Sequence, residues 1–395
     1  MAVRTLDELI AAGVAGKRVF VRADLNVPTK DGQVGDDTRI RATLPTLRKL
    51  VDAGARVIVA SHLGRPKGKV DPKYSLAPVA KRLGERLGKP VAFVAACIGP
   101  EAEAAVAKLG NGDVLLLENL RFHAEEEKNE PGFAAALAKH ADLYVNDAFG
   151  TAHRAHASTA GMVALAASAA AGDLMRAELD HLRLVLDPQH PFLCLLGGAK
   201  VSDKLAVLEA MVRRADVVCV GGAMAYTFLR AQGQAVGSSR VEADRIEDAL
   251  RILAAAKDSG HKLLLPVDHV IAQKLEAGVE SRVVRKIPDG WMGLDIGPET
   301  AKAYAAEASR AKTIFWNGPM GVFEIDAFAK GTEAVAHAVA ESSASSVVGG
   351  GDSLAAVNRL GLAARITHCS TGGGASLEFV EGRALPGVVA LENKA

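Results

Sequence analysis

Short apolar runs rich in Val, Ile and Leu alternate along this chain with stretches of helical period, and that alternation restricts the fold more than any other feature. Runs of this kind, at Val19–Ala23, Val57–Ala60, Val91–Val94, Val114–Leu117 and Leu143–Val145, are almost wholly apolar and show no polar-apolar alternation. A second series follows at Phe192–Leu196, Val217–Val220, Leu263–Leu265, Thr313–Trp316, Ser346–Val348 and Ile366–Cys369. Strands without a polar face belong in parallel sheets whose both sides are covered by helices. Helical patterns between them include Ile40–Ala53, Leu76–Leu87, Lys204–Arg214, Ala243–Ser259 and Pro298–Arg310. The expected class is α/β, with two Rossmann-like domains. A chain of 395 residues exceeds what one hydrophobic core usually supports.

The division between the two series falls at a segment that reads as one long helix, Ala164–Val185, followed by Asp187-Pro188 and His190-Pro191. Proline there ends a helix and starts a new unit. Expected spans are residues 1–170 for the first domain, 171–187 for a helical hinge and 188–375 for the second domain.

Polar residues and glycines gather directly after the strands. In the first series these are Asp24-Leu25-Asn26, Ser61-His62-Leu63-Gly64-Arg65-Pro66, Glu118-Asn119-Leu120-Arg121 and Asn146-Asp147-Ala148-Phe149-Gly150. In the second they are Gly197-Gly198-Ala199-Lys200, Gly221-Gly222, Asn317-Gly318-Pro319, Gly349-Gly350-Gly351-Asp352-Ser353 and Thr371-Gly372-Gly373-Gly374. Ligands of open α/β sheets bind outside the carboxyl ends of the strands, so two sheets imply two ligand sites.

Arg39, His62, Arg65, Arg121 and Arg154 come from separate strand ends of the first series. Guanidinium groups match phosphate and carboxylate oxygens in pairs, so the cluster reads as a receptor for a small, multiply charged anion. Asp24 and Asn26 would read a hydroxyl or orient the arginines. The net charge is only +1, with 47 basic and 46 acidic residues, so attraction for an anion must be local and nucleic acid is not an expected partner. His153 and His156 have the H-x-x-H spacing of metal ligands but no third ligand at a recognisable interval, and packing around Thr151–Ser158 is the better reading.

The second series offers glycine-rich turns instead. Gly349–Ser353 opens a helix, with Asp352 or Ser353 suited to its N-cap, and glycines there let the backbone approach a phosphate. The turn at Thr371–Ser376 repeats the design, and Lys200 and Lys204 flank a further helix start. Asp352 is the best-placed carboxylate for Mg²⁺, which needs only one or two protein ligands beside phosphate oxygens and water. Glu324 could accept from ribose hydroxyls or face solvent. There is no GxxxxGK[ST] loop and no GxGxxG fingerprint, which disfavours the common nucleoside triphosphatases and nicotinamide dehydrogenases.

The 4 cysteines, Cys97, Cys194, Cys219 and Cys369, are widely spaced, with no CxxC pair, and read as buried thiols. The opening segment has no apolar core of the roughly 7–15 residues a secretory leader needs. No stretch is apolar and long enough for a bilayer. A cytoplasmic protein with no membrane partner is expected.

At these motifs the chain resembles the phosphoglycerate kinase family, nearly from end to end. The resemblance is carried by RADLNVP (Arg22–Pro28), DDTRIRA (Asp36–Ala42), SHLGRP (Ser61–Pro66), ENLRF (Glu118–Phe122) and NDAFGTAHRAHAS (Asn146–Ser158). GGAKVSDK (Gly197–Lys204), WNGPMGVFE (Trp316–Glu324), GGGDS (Gly349–Ser353) and STGGGASLE (Ser370–Glu378) continue it. It implies reversible phosphoryl transfer between 1,3-bisphosphoglycerate plus ADP and 3-phosphoglycerate plus MgATP, by a monomer. By the same resemblance, Asp24, Leu25, Asn26, Arg39, His62, Leu63, Gly64, Arg65, Arg121 and Arg154 hold the phosphoglycerate. Lys204, Glu324, Gly350, Gly351, Asp352 and Ser353 hold the nucleotide, with Asp352 toward Mg²⁺. Arg39, Lys200, Gly372 and Gly373 act on the phosphoryl group in flight. The family fold also returns residues 376–395 to the first domain. Asp173 departs from the pattern, standing where an apolar residue is expected, and so do Ala95-Ala96 before Cys97.

The chemistry agrees. A carboxylate acceptor is ionised at neutral pH and needs no general base, so alignment and charge stabilisation remain the tasks of the protein. With the ligands on different domains, transfer also demands closure to exclude water. Small-angle scattering with both substrates should therefore show a more compact particle than with either alone. A hinged, non-catalytic binder of phosphorylated metabolites is the alternative, although it would have little use for Lys200 or the second glycine turn.

Overall fold

The computed structural model describes residues 3–394. Positions 1, 2 and 395, the ends of the expected spans, lie outside the described residues. The chain divides into two compact units, one running to Leu179 and resuming at Ala384, the other spanning Asp180–Arg383.

The first unit is built on a six-stranded sheet in the order Val91–Val94, Val114–Leu117, Arg56–Ala60, Arg18–Ala23, Leu143–Asp147 and Ala169–Ala171. Every pairing is parallel. The central strands are almost wholly buried because helices flank the sheet, which explains why most of their residues are apolar on both faces. From Arg18–Ala23 the chain lays strands to one side, then crosses to Leu143–Asp147 on the other. The connections after these two strands diverge, and the crevice at their carboxyl ends is a topological switch point.

The second unit has its own six-stranded parallel sheet, ordered Lys262–Leu264, Val217–Val220, Phe192–Leu196, Thr313–Asn317, Ser345–Gly349 and His368–Ser370. Its switch point lies between Phe192–Leu196 and Thr313–Asn317. There the two emerging backbones cross almost in contact. A Cβ on Gly197 would lie 2.0 Å from the Pro319 carbonyl oxygen, and one on Gly318 2.1 Å from that of Gly197. Only glycine allows that approach.

This unit also carries a three-stranded antiparallel sheet, Ser281–Val284, His269–Ala272 and Met292–Ile296, that the sequence pattern does not announce. Its strands are short, and Gly293 and Asp295 interrupt the last of them, so β-propensity gives little signal.

The long helix expected at Ala164–Val185 is not formed as such. Gly161–Leu165 is a 3₁₀ turn, Ala169–Ala171 is an edge strand beside Tyr144–Asn146, and the α-helix begins only at Asp173 and runs to Leu186. Alanine favours helix locally, but its small side chain also fits a fully buried strand, and here the ladder with Leu143–Asp147 decides. The division between the units falls inside this helix. Asp173 at its first turn is paired with Lys49 at 3.1 Å, and its amide donates to Thr46 Oγ1, which accounts for an acidic residue at a helix N-terminus. The return of the chain starts later than position 376. Helix Gly374–Val380 stays with the second unit, where Arg214 Nη1 donates to the Val380 carbonyl at 2.8 Å. Helix Pro386–Glu392 packs in the first, its Gly387 amide bonded to the Ala152 carbonyl.

Asp147 anchors the same helix from below. Its Oδ1 accepts from the Leu174 and Met175 amides at 3.0 and 3.3 Å, but the residue is wholly buried. Burial pushes its carboxyl up to about 7, against the hydrogen bond from Thr46 and those two amides. An unfolded chain releases this proton near pH 4, so between about pH 4 and pH 7 the folded state binds the extra proton and stability falls as pH rises. Asparagine keeps the acceptor oxygen without the charge. Asp147→Asn is therefore expected to gain on the parent protein with rising pH, by up to about 1.4 kcal/mol per pH unit in that window. Urea melts across the window would show it; a pH-independent difference would contradict it.

Candidate active site

At the carboxyl edge of the first sheet, Asp24 follows strand Arg18–Ala23 and receives Arg39, the second residue of helix Thr38–Asp52, whose Nη1 lies 3.0 and 2.9 Å from the two carboxylate oxygens. Asn26 Oδ1 accepts from the Gly64 amide at 2.9 Å, and the Gly64 carbonyl accepts from Arg121 Nη1 at 2.9 Å. Asn26 thus helps to orient Arg121 through a single residue, Gly64. Leu25 and Leu63 are buried in the core, so these two positions offer the loop their backbone only. The Leu25 amide donates to Ser61 Oγ, and the Leu63 carbonyl accepts from Asn119 Nδ2.

Arg121 is nearly buried, and its Nε sits 3.3 Å from Glu127. Burial holds its pKa below the usual guanidinium value, opposed by Glu127, with Arg22 and Arg154 adding repulsion. His62 is forced well below its ordinary value by burial and then by the charges of Arg22, Arg121 and Arg39, and is neutral. Arg154 donates from Nε to His153 Nε2 at 3.2 Å. Arg39, His62, Arg121 and Arg154 are therefore gathered. Arg65 is exposed and forms no hydrogen bond or ion pair among the described residues, so the fold leaves it at the rim. His156 lies 3.9 Å from Glu126, and no metal-binding group of three or more His, Cys, Asp or Glu side chains occurs among the described residues.

The expectations missed Arg22. It lies inside strand Arg18–Ala23, fully buried, and donates to Ser158 Oγ at 2.8 Å, to the Ala23 carbonyl, and to His62 Nδ1 at 3.3 Å. An arginine inside an otherwise apolar buried strand was the signal available in the sequence.

At the edge of the second sheet, Gly350 adopts φ 90° and is the N-cap of helix Gly351–Arg359. Neither Asp352 nor Ser353 is the cap, contrary to the sequence reading, because the glycine's left-handed φ already starts the helix at Gly351, two residues before an Asp352 cap would. Ser353 Oγ instead accepts from the Gly318 amide at 2.6 Å. Asp352 is exposed and forms no hydrogen bond or ion pair among the described residues. Gly373, with φ 56°, is in turn the N-cap of helix Gly374–Val380. Lys204 donates to Asn317 Oδ1, and burial lowers its pKa against the pull of Asp203 and Asp352. Asn317 Nδ2 is buried without a hydrogen-bond partner among the described residues, about 3.2 Å from where a Cβ on Gly350 would stand. It is a second functional candidate passed over in the sequence, although it ends a strand inside a recognised motif. Lys200 is exposed, close enough to Glu242 to lower that carboxyl.

Beside these groups is a cavity of about 300 Å³. Ala223, Met292, Leu294, Pro319 and Val322 supply apolar walls, with Arg240, Glu324 and Asp352 as its charged lining. An apolar slot with a few polar groups suits a flat heterocycle with a hydroxylated, charged tail. Its far wall comes from the antiparallel sheet, which is why sequence patterning did not disclose it.

A sequence model of the phosphoglycerate kinase family matches residues 9–383. A phosphoglycerate kinase of Moorella thermoacetica is 57% identical over 397 residues, covering 100% of both chains, and a cytosolic phosphoglycerate kinase of Triticum aestivum is 54% identical, covering 98% of each. The solved structure of phosphoglycerate kinase from Coxiella burnetii superposes with a TM-score of 0.91 at 40% identity, covering 100% of both chains. By sequence over its whole length and by fold, the chain belongs to the phosphoglycerate kinase family.

Proposed function

We propose how this chain divides the work of its reaction, reversible phosphoryl transfer between 1,3-bisphosphoglycerate plus ADP and 3-phosphoglycerate plus ATP. The first-unit cluster of Asp24, Asn26, Arg39, His62, Arg121 and Arg154, with the backbone of Leu25, Leu63 and Gly64 and with Arg65 at its rim, binds the phosphoglycerate. The cavity at the second switch point takes the nucleotide base. Glu324 faces the ribose, while Lys204, Asn317 and the turn Gly350–Ser353 face its phosphates. Arg39, Lys200, Gly372 and Gly373 act on the transferred group. The observation that carries this reading is the paired design: each sheet opens at its own switch point, one lined with cations and the other with glycine turns beside an apolar slot.

Asp352 suits Mg²⁺, being an exposed carboxylate with no hydrogen bond or ion pair among the described residues, on the lining of the same cavity as Glu324. Bound with the nucleotide, Mg²⁺ would neutralise charge on the phosphate oxygens. No side chain has to remove a proton, since the acceptor carboxylate is already ionised. The chain's residues bind, align and neutralise. We further propose a monomer in the cytosol, without nucleic-acid or membrane partners. Consistent with this, no helix among the described residues is long and apolar enough to cross a membrane.

A coupled assay with 3-phosphoglycerate and MgATP should show turnover; nucleotide binding without turnover would favour the non-catalytic binder. Asp352→Asn should raise KM for MgATP about 10- to 100-fold, the worth of one charged contact, with KM for 3-phosphoglycerate unchanged. Equal changes in both constants would refute the assignment.

A further inference from the structure

The buried guanidinium of Arg22 is placed where it can serve substrate binding without touching substrate. We infer that Arg22 is a positioning residue that locks His62 as the neutral Nε2–H tautomer, so that His62 offers the phosphoglycerate a single N–H donor rather than a charge or an acceptor. The inference rests on the proposed placement of His62 in the phosphoglycerate site.

A guanidinium has five N–H donors and no acceptor, and it stays charged in a protein. Arg22 Nη2 lies 3.3 Å from His62 Nδ1. Two donors cannot share that contact, so Nδ1 is the bare nitrogen and the ring proton sits on Nε2. The rest of the Arg22 head is held rigidly: Nε donates to Ser158 Oγ at 2.8 Å and Nη1 donates to the Ala23 carbonyl. Ser158 accepts from Arg22 and uses its own hydroxyl proton toward Glu126 Oε1 at 2.6 Å, while its amide donates to Glu126 Oε2 at 3.0 Å. Glu126 is 0% exposed, as is Arg22, so the two buried charges compensate one another through one hydroxyl. Tyr144 fixes the other side of Ser158, its hydroxyl donating to the Ser158 carbonyl at 2.8 Å.

His62 Nε2 has no hydrogen-bond partner among the described residues, and His62 keeps 4% of its surface open. The ring is thus bonded on the inner side and uncommitted on the other. Burial and the neighbouring arginines independently oppose a second ring proton. A neutral donor fits a site already rich in charge, where one more cation would cost desolvation and repulsion.

The test is nitrogen–proton correlation spectroscopy of the full chain with labelled histidines, with His62 assigned by its loss in His62→Gln. The expected pattern is a neutral Nε2–H ring, unchanged from about pH 5 to pH 8. A ring protonated on Nδ1, or on both nitrogens, overturns the inference. Adding 3-phosphoglycerate should move the Nε2–H resonance. If it does not, while the neutral Nε2–H pattern stands, the placement of His62 at substrate fails and the tautomer assignment survives.

Kinetics separate positioning from simple structural support. Glutamine places an amide N–H where Nε2 stands, so His62→Gln should keep KM for 3-phosphoglycerate within about 10-fold, whereas His62→Asn should raise it about 10- to 100-fold. Arg22→Lys keeps a donor-only cation and should retain the tautomer. Arg22→Gln can also accept, and should yield mixed tautomers with a raised KM and near-normal kcat. An unaltered His62 spectrum in folded Arg22→Gln would overturn the role of Arg22.

Discussion

Lys200→Ala is expected to lose at least about 10²-fold in kcat while melting as the parent protein does. Lys200 is exposed on the segment between Gly198, which has φ 125°, and helix Leu205–Arg214. It forms no hydrogen bond or ion pair among the described residues. Glu242, whose carboxyl it helps to lower, is held by hydrogen bonds from Ser202. Truncation therefore opens no cavity and strands no buried charge, so stability should shift by no more than about 0.5 kcal/mol. The loss would fall on the transition state, where a fixed positive charge on the transferring phosphoryl is worth roughly 3–4 kcal/mol. Steady-state kinetics beside a thermal melt make the check. Near-normal kcat would remove Lys200 from the catalytic set.

Arg39→Ala should show a comparable fall in kcat with a different companion. The side chain of Asp24 is only 9% exposed, and Arg39 bonds both its oxygens. Under the proposed assignment, removing the guanidinium takes away a charge contact to the phosphoryl group; it also leaves a nearly buried carboxylate without its ion pair. Because the Arg39 side chain is itself 37% exposed, solvent screens part of the penalty, and a stability loss of about 1–2 kcal/mol is expected rather than that of a fully buried pair. Adding Asp24→Asn should recover the stability and leave kcat low. If the double variant regained kcat as well, Arg39 would act only by holding Asp24.

Much of the candidate site can be read in the chain because its residues stand at strand ends. Once Val19–Ala23, Val57–Ala60, Val114–Leu117 and Leu143–Val145 are recognised as parallel strands, Asp24, His62 and Arg121 must emerge at one edge, with Arg154 in a following loop. Local apolarity marks such strands well, since burial on both faces leaves a continuous hydrophobic run. The same logic fails where burial is achieved with small or mixed residues. Ala169–Ala171 reads as helix because alanine's preference is local, whereas the ladder beside Tyr144 that makes it a strand depends on residues far away in sequence. Strands Ser281–Val284 and Met292–Ile296 escape notice for a related reason: each is stabilised by antiparallel partners rather than by its own composition.

The amino-acid sequence by itself determined the α/β class, the presence of two sheets, the residues at their carboxyl edges and the family to which the chain belongs. Those features are written in short-range patterns of hydrophobicity, glycine and charge. Only the tertiary structure decided which groups are held and which are uncommitted. It set Asn26 to orient Arg121, made Gly350 the N-cap so that Asp352 stays open, walled the cavity at the second switch point with an antiparallel sheet, and buried Arg22 against His62. Hydrogen-bond partnership and burial depend on distance in space between residues remote in sequence, and no local pattern encodes them.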